Sequence, residues 1–388
     1  MRIRFFALAA LALLLGACTQ DEAGFLPEGA EGTSIIFTAT GLNPAATATA
    51  GTRAPVDGNW DGEYTYTVSL LAAAKDLGYT IESDGSYTVT SADGLMNIAE
   101  LVNGGKSDIN ITLTADIDLT GKDWTPIGTD YDNSYKGTFD GGGHTITGLT
   151  FTTNDEFAGL FGWLNRAGSV KNVVMEGVQI TSNQIYGGSI GGVVGYGWGT
   201  IENCSVSGSV SGTVYVGGVV GVQIGGSITG CSSSATVKGT VDVGGVAGQT
   251  NSSATLTACY ATGNVIIEMD PKKNIAGGSL VGMNAGSSLL ACYATGNVTS
   301  TGSSTGYVHI GGFLGNNYAN VMTACYWKNN HEQGIGYNKE GIAPEVTKVD
   351  GSVVTWQKAV DAMNTALQNA GSKWRYELNG ALPTLRKQ

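Results

Sequence analysis

The sequence predicts an all-β fold. Its body is a parallel β-helix in which short coils stack into a rod, with short helical caps and a small N-terminal β segment. Three observations predict it. Glycine is abundant while charge is scarce, two residue tracks recur in step along the chain, and the residues after each recurrence alternate with period two.

Glycine accounts for 60 of 388 residues and charged residues for only 13%. Ordinary soluble domains carry roughly 7% and 25%. Glycine without a collagen period, among many Val, Thr, Ser and Asn, points to strands joined by tight turns. The formal net charge is −12, which argues against nucleic acid or anionic lipid headgroups as partners, because both need basic patches.

From about residue 157 a Gly-Gly-apolar-apolar-Gly box recurs: Ala158-Gly159-Leu160-Phe161-Gly162, then 191–195, 217–221, 244–248, 278–282 and 311–315. The closing glycines are 33, 26, 27, 34 and 33 residues apart. A second track keeps time with them: Cys204, Cys231, Cys259, Cys292 and Cys325 follow five of the boxes, and Val173 follows the first. After each cysteine the sequence alternates. Cys204, Val206, Gly208 and Val210 are expected on one side and Ser205, Ser207 and Ser209 on the other. Period two means strands with one buried face. One repeat cannot bury that face alone, but stacked repeats about 4.8 Å apart can. Six repeats and two or three irregular coils upstream make a rod of roughly 40 Å. The glycine boxes lack a P-loop Lys-Ser/Thr and a following helix, so they are read as turns rather than phosphate loops.

The N-terminus opens with Arg2 and Arg4, an apolar run from Phe5 to Leu15, and Leu15-Gly16-Ala17-Cys18. The run is too short to span a bilayer and has the form of a signal peptide. The Leu-Gly-Ala-Cys end resembles a bacterial lipobox. That resemblance implies removal of residues 1–17, diacylglycerol on Cys18, and a membrane partnership through this anchor. The polar stretch Thr19–Glu22 resembles the surface-export signal of Bacteroidota lipoproteins, which implies an outer-membrane, cell-surface address. Residues 18–85 are expected to form a tether and a small β-element, with strands at Ser34–Thr38 and Tyr64–Leu70. Thr52-Arg53-Ala54-Pro55 faintly resembles the start of fimbrillin-like domains.

The boxes, with Asn-Cys or Ala-Cys-Tyr-Ala-Thr-Gly after them, resemble the GLUG-motif repeats of bacterial surface proteins. Upstream, Leu113–Leu119, Trp124–Gly128 and Gly137–Ile146 resemble the opening coils of the same proteins. The resemblance covers about residues 85–388 and implies a right-handed parallel β-helix of adhesin-like type. The β-helix is placed at 86–345, most regular over 157–327. A short helix from Ser91 to Val102 is expected as one cap, and a helix at Trp356–Ala370 with the tail of 346–388 as the other.

The chemistry that this pattern offers is binding rather than catalysis. From Tyr186 to Trp327 the only charged residues are Glu202, Lys238, Asp242, Glu268, Asp270, Lys272 and Lys273, and they do not recur at one repeat position. No paired carboxylates, no Ser-His-Asp arrangement and no CxxC spacing is evident, so no catalytic residue, metal or cofactor is expected. Asp116, Asp118, Asp123, Asp130, Asp132 and Asp140 lie in turn-like sequence and are read as Asx-turn and capping residues, with a Ca2+ site as the alternative. Two ligand surfaces are candidates. One is an outward ladder after the cysteines: Tyr260, Tyr293 and Tyr326, then Thr262 and Thr295, then Asn264 and Asn297. The other is the set of longer intervals around Thr181–Gly187, Ile267–Ile275 and Thr299–His309, which carry Tyr186 and Tyr307 and should emerge along one edge. The expected function is a monomeric, non-catalytic surface lipoprotein that binds a glycan or matrix protein. The alternatives are a spacer or component of a surface complex, and a polysaccharide lyase or hydrolase.

In-register stacking points the cysteine Cβ vectors the same way, a poor geometry for disulfides. The five cysteines are read as a ladder of buried free thiols. Thiol titration should find all five only after denaturation; two or fewer in the denatured, unreduced protein would refute the ladder.

Overall fold

The alternating segments form strands, and the strands stack as predicted. The computed structural model describes residues 34–39, 64–69, 77–251, 253–319, 321–341 and 346–388. Cys18, the expected signal peptide and residues 52–55 lie outside them. In the N-terminal unit, β1 (Ser34–Ala39) and β2 (Tyr64–Ser69) pair antiparallel, with Ser34 opposite Ser69. The remainder is a β-solenoid of about seven turns with two short helices.

Each regular coil runs through four strands. In the second GLUG-like coil they are Ser189–Gly191, Val194–Gly197, Thr200–Glu202 and Ser205–Ser211. Equivalent strands pair in parallel, so the coils contribute to four sheets, named first to fourth in this order. The third sheet shows the logic best. Ile111, Phe139, Val170, Ile201, Ile228, Leu256, Leu289 and Met322 occupy one register position and all are buried. Burial of each such side chain contributes roughly 1.5–3 kcal/mol. The turn after the second sheet is polar inside. Gln223, Thr250, Asn284 and Asn317 share a register position at 0% exposure. Thr250 Oγ1 donates to Asn284 Oδ1 at 3.2 Å, and Asn284 Nδ2 to Asn317 Oδ1 at 3.1 Å. Partnered amides satisfy a buried turn that would otherwise hold orphan groups.

Between the third and fourth sheets the chain turns a left-handed corner. Its residue is Asn172, Asn203, Gly230, Ala258, Ala291 and Ala324 in successive coils, with φ between 52° and 66°. The cysteine follows. All five cysteines are buried and free. Each Sγ donates to a carbonyl of the preceding coil, as Cys259 does to Ile228 O at 3.4 Å and Cys292 to Leu256 O at 3.6 Å. Burial pushes the thiols of Cys231, Cys259, Cys292 and Cys325 well above their ordinary range.

Beyond the cysteine the alternation holds only in part. In most coils the stretch is two short strands divided by a bend, as in Tyr260–Ala261 and Val265–Glu268. Thr262, Asn264, Thr295 and Asn297 sit at these bends rather than within strands. Gly208, expected inside, is exposed with φ 116° beside a register shift between Met175 and Val178.

Helix α1 (Ala92–Asn103) begins at Ser91, whose Oγ accepts from Gly94 N at 3.1 Å. Leu95, Ile98 and Val102 join the core shared with the first coils. Helix α2 (Trp356–Asn369) and the antiparallel pair Trp374–Glu377 and Thr384–Lys387 do not close the far end as expected. They lie on the flank. Trp356, Ala359, Val360, Met363, Leu367, Trp374 and Tyr376 pack on Ala258, Ala291 and Tyr293. Tyr376 Oη donates to Ala291 O at 2.9 Å, Tyr293 Oη donates to Pro383 O at 2.6 Å, and Lys387 pairs with Glu202. The segment is a strap along four corners, Gly230 to Ala324, about 14 Å at the coil spacing.

The strap explains the change in corner residue. Uncovered corners carry asparagine, which tolerates φ > 0. Asn203 Nδ2 donates to Asn172 Oδ1 at 2.8 Å, and Asn172 Nδ2 to Asp140 Oδ1 at 2.9 Å. Covered corners carry Gly230, Ala258 and Ala291, because a larger residue would meet the strap. A Cβ on Gly230 would collide with the Trp374 ring. Gly230→Ala should therefore lower stability by about 2 kcal/mol or more in urea titrations, through overpacking and a left-handed φ; Asn203→Gly should change it by less than about 1 kcal/mol.

Candidate ligand-binding surface

The glycine box makes a re-entrant bend between the first and second sheets. A Cβ on Gly221 would lie 2.5 Å from Ile190 N and 2.6 Å from Gly195 O. Only glycine lets the second sheet fold back against the outer face of the first at that distance. Two outward rows thus face each other across an elbow. The first-sheet row is Phe157, Ser189, Tyr215, Asp242, Ala276 and His309. The second-sheet row is Trp163, Tyr196, Val222, Gln249, Met283, Asn316 and Tyr337.

Aromatic rings gather at both ends of the elbow. At one end Trp163 stacks on Tyr196 with centroids 4.2 Å apart, Phe157 meets Trp163 edge-on at 4.6 Å, and exposed Tyr131 meets Trp163 at 5.8 Å. At the other, His309 stacks between Tyr337 at 4.8 Å and Tyr307 at 5.9 Å, with Tyr318 5.7 Å from Tyr337. Polar groups along the elbow are tightly enclosed. Ser189 Oγ, His309 Nδ1 and Asn316 Oδ1 are sealed from solvent without a hydrogen-bond partner. Asp242 is 6% exposed, and its carboxylate has no hydrogen bond or ion pair among the described residues. Its carboxylate is desolvated, which pushes its pKa up to about 7.

The longer loops rim this elbow. Thr305 N donates to Pro271 O at 3.1 Å, Ser304 Oγ to Lys273 O at 2.8 Å and Tyr307 N to Asn274 Oδ1 at 3.1 Å, so residues 302–307 rest on 270–274. Lys273 Nζ lies 5.4 Å from the Tyr186 ring. Tyr186 and Tyr307 are 73% and 71% exposed.

The post-cysteine ladder fares differently. Tyr260 and Tyr293 do stack, with centroids 4.9 Å apart and planes 2° from parallel. However, Tyr293 is 1% exposed, because Trp356 and Tyr376 pack edge-on against it. Tyr260 and Tyr326 are half-buried against the same strap. The row expected to face solvent is therefore the floor of a second small core. Thr262 and Thr295 are half-buried. Asn264 and Asn297 are exposed, and Asn264 Oδ1 accepts from Asn297 N at 3.0 Å, stitching adjacent coils. A cleft of about 200 Å³ remains beside the strap, lined by Asn172, Asn203, Ser205, Ser232, Tyr260 and Trp374.

The upstream aspartates serve turns. Asp118 Oδ1 accepts from Thr120 N, Asp130 Oδ1 from Asp132 N and Asn133 N, and Asp140 Oδ1 from Gly142 N. Hydrogen bonds from Thr120 and Asn133 hold Asp118 and Asp130 below the usual carboxylate range. Among the described residues, no three His, Cys, Asp or Glu side chains converge as a metal site.

Sequence reasoning missed Trp163, Tyr196, Asp242, His309 and Tyr337. A signal existed for three of them: Trp163, Tyr196 and Tyr337 each follow a glycine of the second-sheet turn. Their outward direction needed the bend itself.

Known proteins bear out the repeat and the fold. The GLUG motif family matches at residues 186–211 and 212–238. Halomucin of Haloquadratum walsbyi is 30% identical over 223 residues, 49% of this chain and 2% of its own. A protein of Evansella cellulosilytica provisionally described as Gly-rich and membranous is 33% identical over 132 residues, 32% of this chain and 14% of its own. The chain thus spans a small part of these curated relatives. A crystal structure from Bacteroides ovatus, provisionally assigned as an immunoglobulin A1 protease, aligns over 79% of this chain and 93% of its own with TM-score 0.58 and 19% identity. That likeness concerns the fold alone.

Asp242 makes stability depend on pH. Its folded pKa of about 7 stands above the ordinary 3.8. The protonated form is favoured by folding, so its contribution is whole below about pH 4 and is lost as pH rises through 7. Asp242→Asn should stabilise the protein at pH 8, by at most about 4 kcal/mol, and leave it unchanged at pH 4. Thermal melts across pH 4–9 measure this directly.

Proposed function

We propose that this chain is a non-catalytic cell-envelope protein that uses its β-solenoid to bind a glycan on the loop-rimmed elbow. The observation that carries the reading is the aromatic surface of exposed Tyr186, Tyr307, Tyr318 and Tyr337, with half-buried His309 stacked among them, on the stack of coils. Exposed rings beside polar groups suit sugars, whose faces are apolar and whose edges carry hydroxyls. An envelope address is favoured by the lipobox-like Cys18 and by a matched relative described as a membrane protein. The lipid anchor at Cys18 and the outer-membrane surface belong to the same proposal. A spacer role is the second reading, favoured by the strap that binds four successive corners into one unit.

Glycan-array and matrix-protein binding by the soluble chain separates the two. Tyr186→Ala with Tyr307→Ala should weaken glycan binding at least tenfold without changing the melting temperature. Tyr260→Ala should do the reverse, since its ring packs under the strap. Absence of binding to every array member and matrix protein would favour the spacer, and depolymerisation of a polysaccharide would point to an enzyme.

A further inference from the structure

Coil length varies in a pattern with a structural result. Two short coils, closing at Gly221 and Gly248, lie between longer ones. Their first-sheet strands are Tyr215–Gly217 and Asp242–Gly244, and they enter the elbow by minimal turns, with Thr240 N and Val241 N donating to Thr213 O and Asp242 N to Val214 O. The loop of Tyr186 stands on one side and residues 270–274 on the other. The short coils are therefore a notch, about 14 Å wide at three coil spacings. Tyr186 and Lys273 reach toward each other across it.

Asp242 lies at the base of this notch, with Tyr215 beside it in register. It is nine-tenths buried and without a partner, yet its oxygens are not among the sealed atoms, so a window of solvent reaches them. A buried carboxylate lacking a cation is costly, and a cation brought to it offsets part of that cost. The described residues do not supply one. Lys238 pairs with Glu268, and Lys273 sits over Tyr186. That last contact also shows an ammonium group held on an aromatic face at the rim of the notch. A neutral hydroxyl would leave the carboxylate uncompensated, whereas an amine answers both features.

We propose that the notch is a subsite for an ammonium group carried on a glycan: an amino-sugar unit whose cation pairs with Asp242 while its ring packs against Tyr186 and Tyr215. This rests on the glycan-binding reading above and names the sugar class it selects. The probes are a glucosamine oligomer and the N-acetylglucosamine oligomer of equal length, titrated calorimetrically into the chain lacking only residues 1–18. The glucosamine oligomer should bind at least tenfold more tightly. Asp242→Asn, nearly isosteric, should abolish the preference while circular dichroism confirms the fold, and Tyr307→Ala should weaken both oligomers alike. A preference that survives Asp242→Asn would reflect only the net charge of the chain and would overturn the subsite. Binding of both oligomers with equal strength would overturn it too but leave the glycan reading in place. If neither oligomer binds, the subsite is refuted, and the array result decides the wider reading separately.

Discussion

Every residue of the solenoid packs against the residue holding the same position one coil away. Parallel, in-register pairing imposes this, and most of the structure follows from it. A position can be occupied only by a side chain that tolerates its own kind above and below. Apolar side chains, mostly branched aliphatics, satisfy it inside the third sheet, from Ile111 to Met322. Small thiols satisfy it at the corner, where each Sγ finds a carbonyl of the preceding coil. Amides satisfy it in the buried turn, because a carboxamide can donate to one neighbour and accept from the other, as Asn284 and Asn317 show. Charge fails the same requirement, since like charges would stack at one coil spacing. The low charge fraction of the chain is a result of its architecture.

The elbow extends that rule to the outside of the rod. Glycine at the close of each box brings two outer faces together, so side chains that would otherwise be solvated press on one another. Aromatic rings at the two ends gain from that contact. Polar groups along the elbow do not. Ser189 Oγ, Asn316 Oδ1 and His309 Nδ1 are left without partners, and Asp242 is desolvated. Such local cost is more often kept where a surface does work than where it is only scaffold.

The strap shows how one repeat position can serve two ends. At the corner, asparagine faces water in the early coils and alanine meets the strap in the later ones, although alanine in the left-handed region costs about 1 kcal/mol. Covering the corner compensates by burying Trp356, Met363, Leu367 and Trp374. The tyrosines after the cysteines appear where the strap lies. Their regular spacing reflects a docking surface within the chain.

The repeat, its strand period, the first helix and the two strands of the N-terminal unit were legible from the residues alone, because periodicity and turn chemistry are local. So was the clustering of Tyr186 and Tyr307, since coil length alone decides which turns protrude. Burial of Tyr293 was not legible. It depends on a segment more than sixty residues later returning to the flank rather than the end. Nor was the isolation of Asp242. A single aspartate among seven scattered charges reads as surface, and only the backward fold of the second sheet, with two short coils lying between longer ones, takes water from it. Local sequence determined which residues alternate and where the chain turns; tertiary structure decided which outward faces still meet solvent.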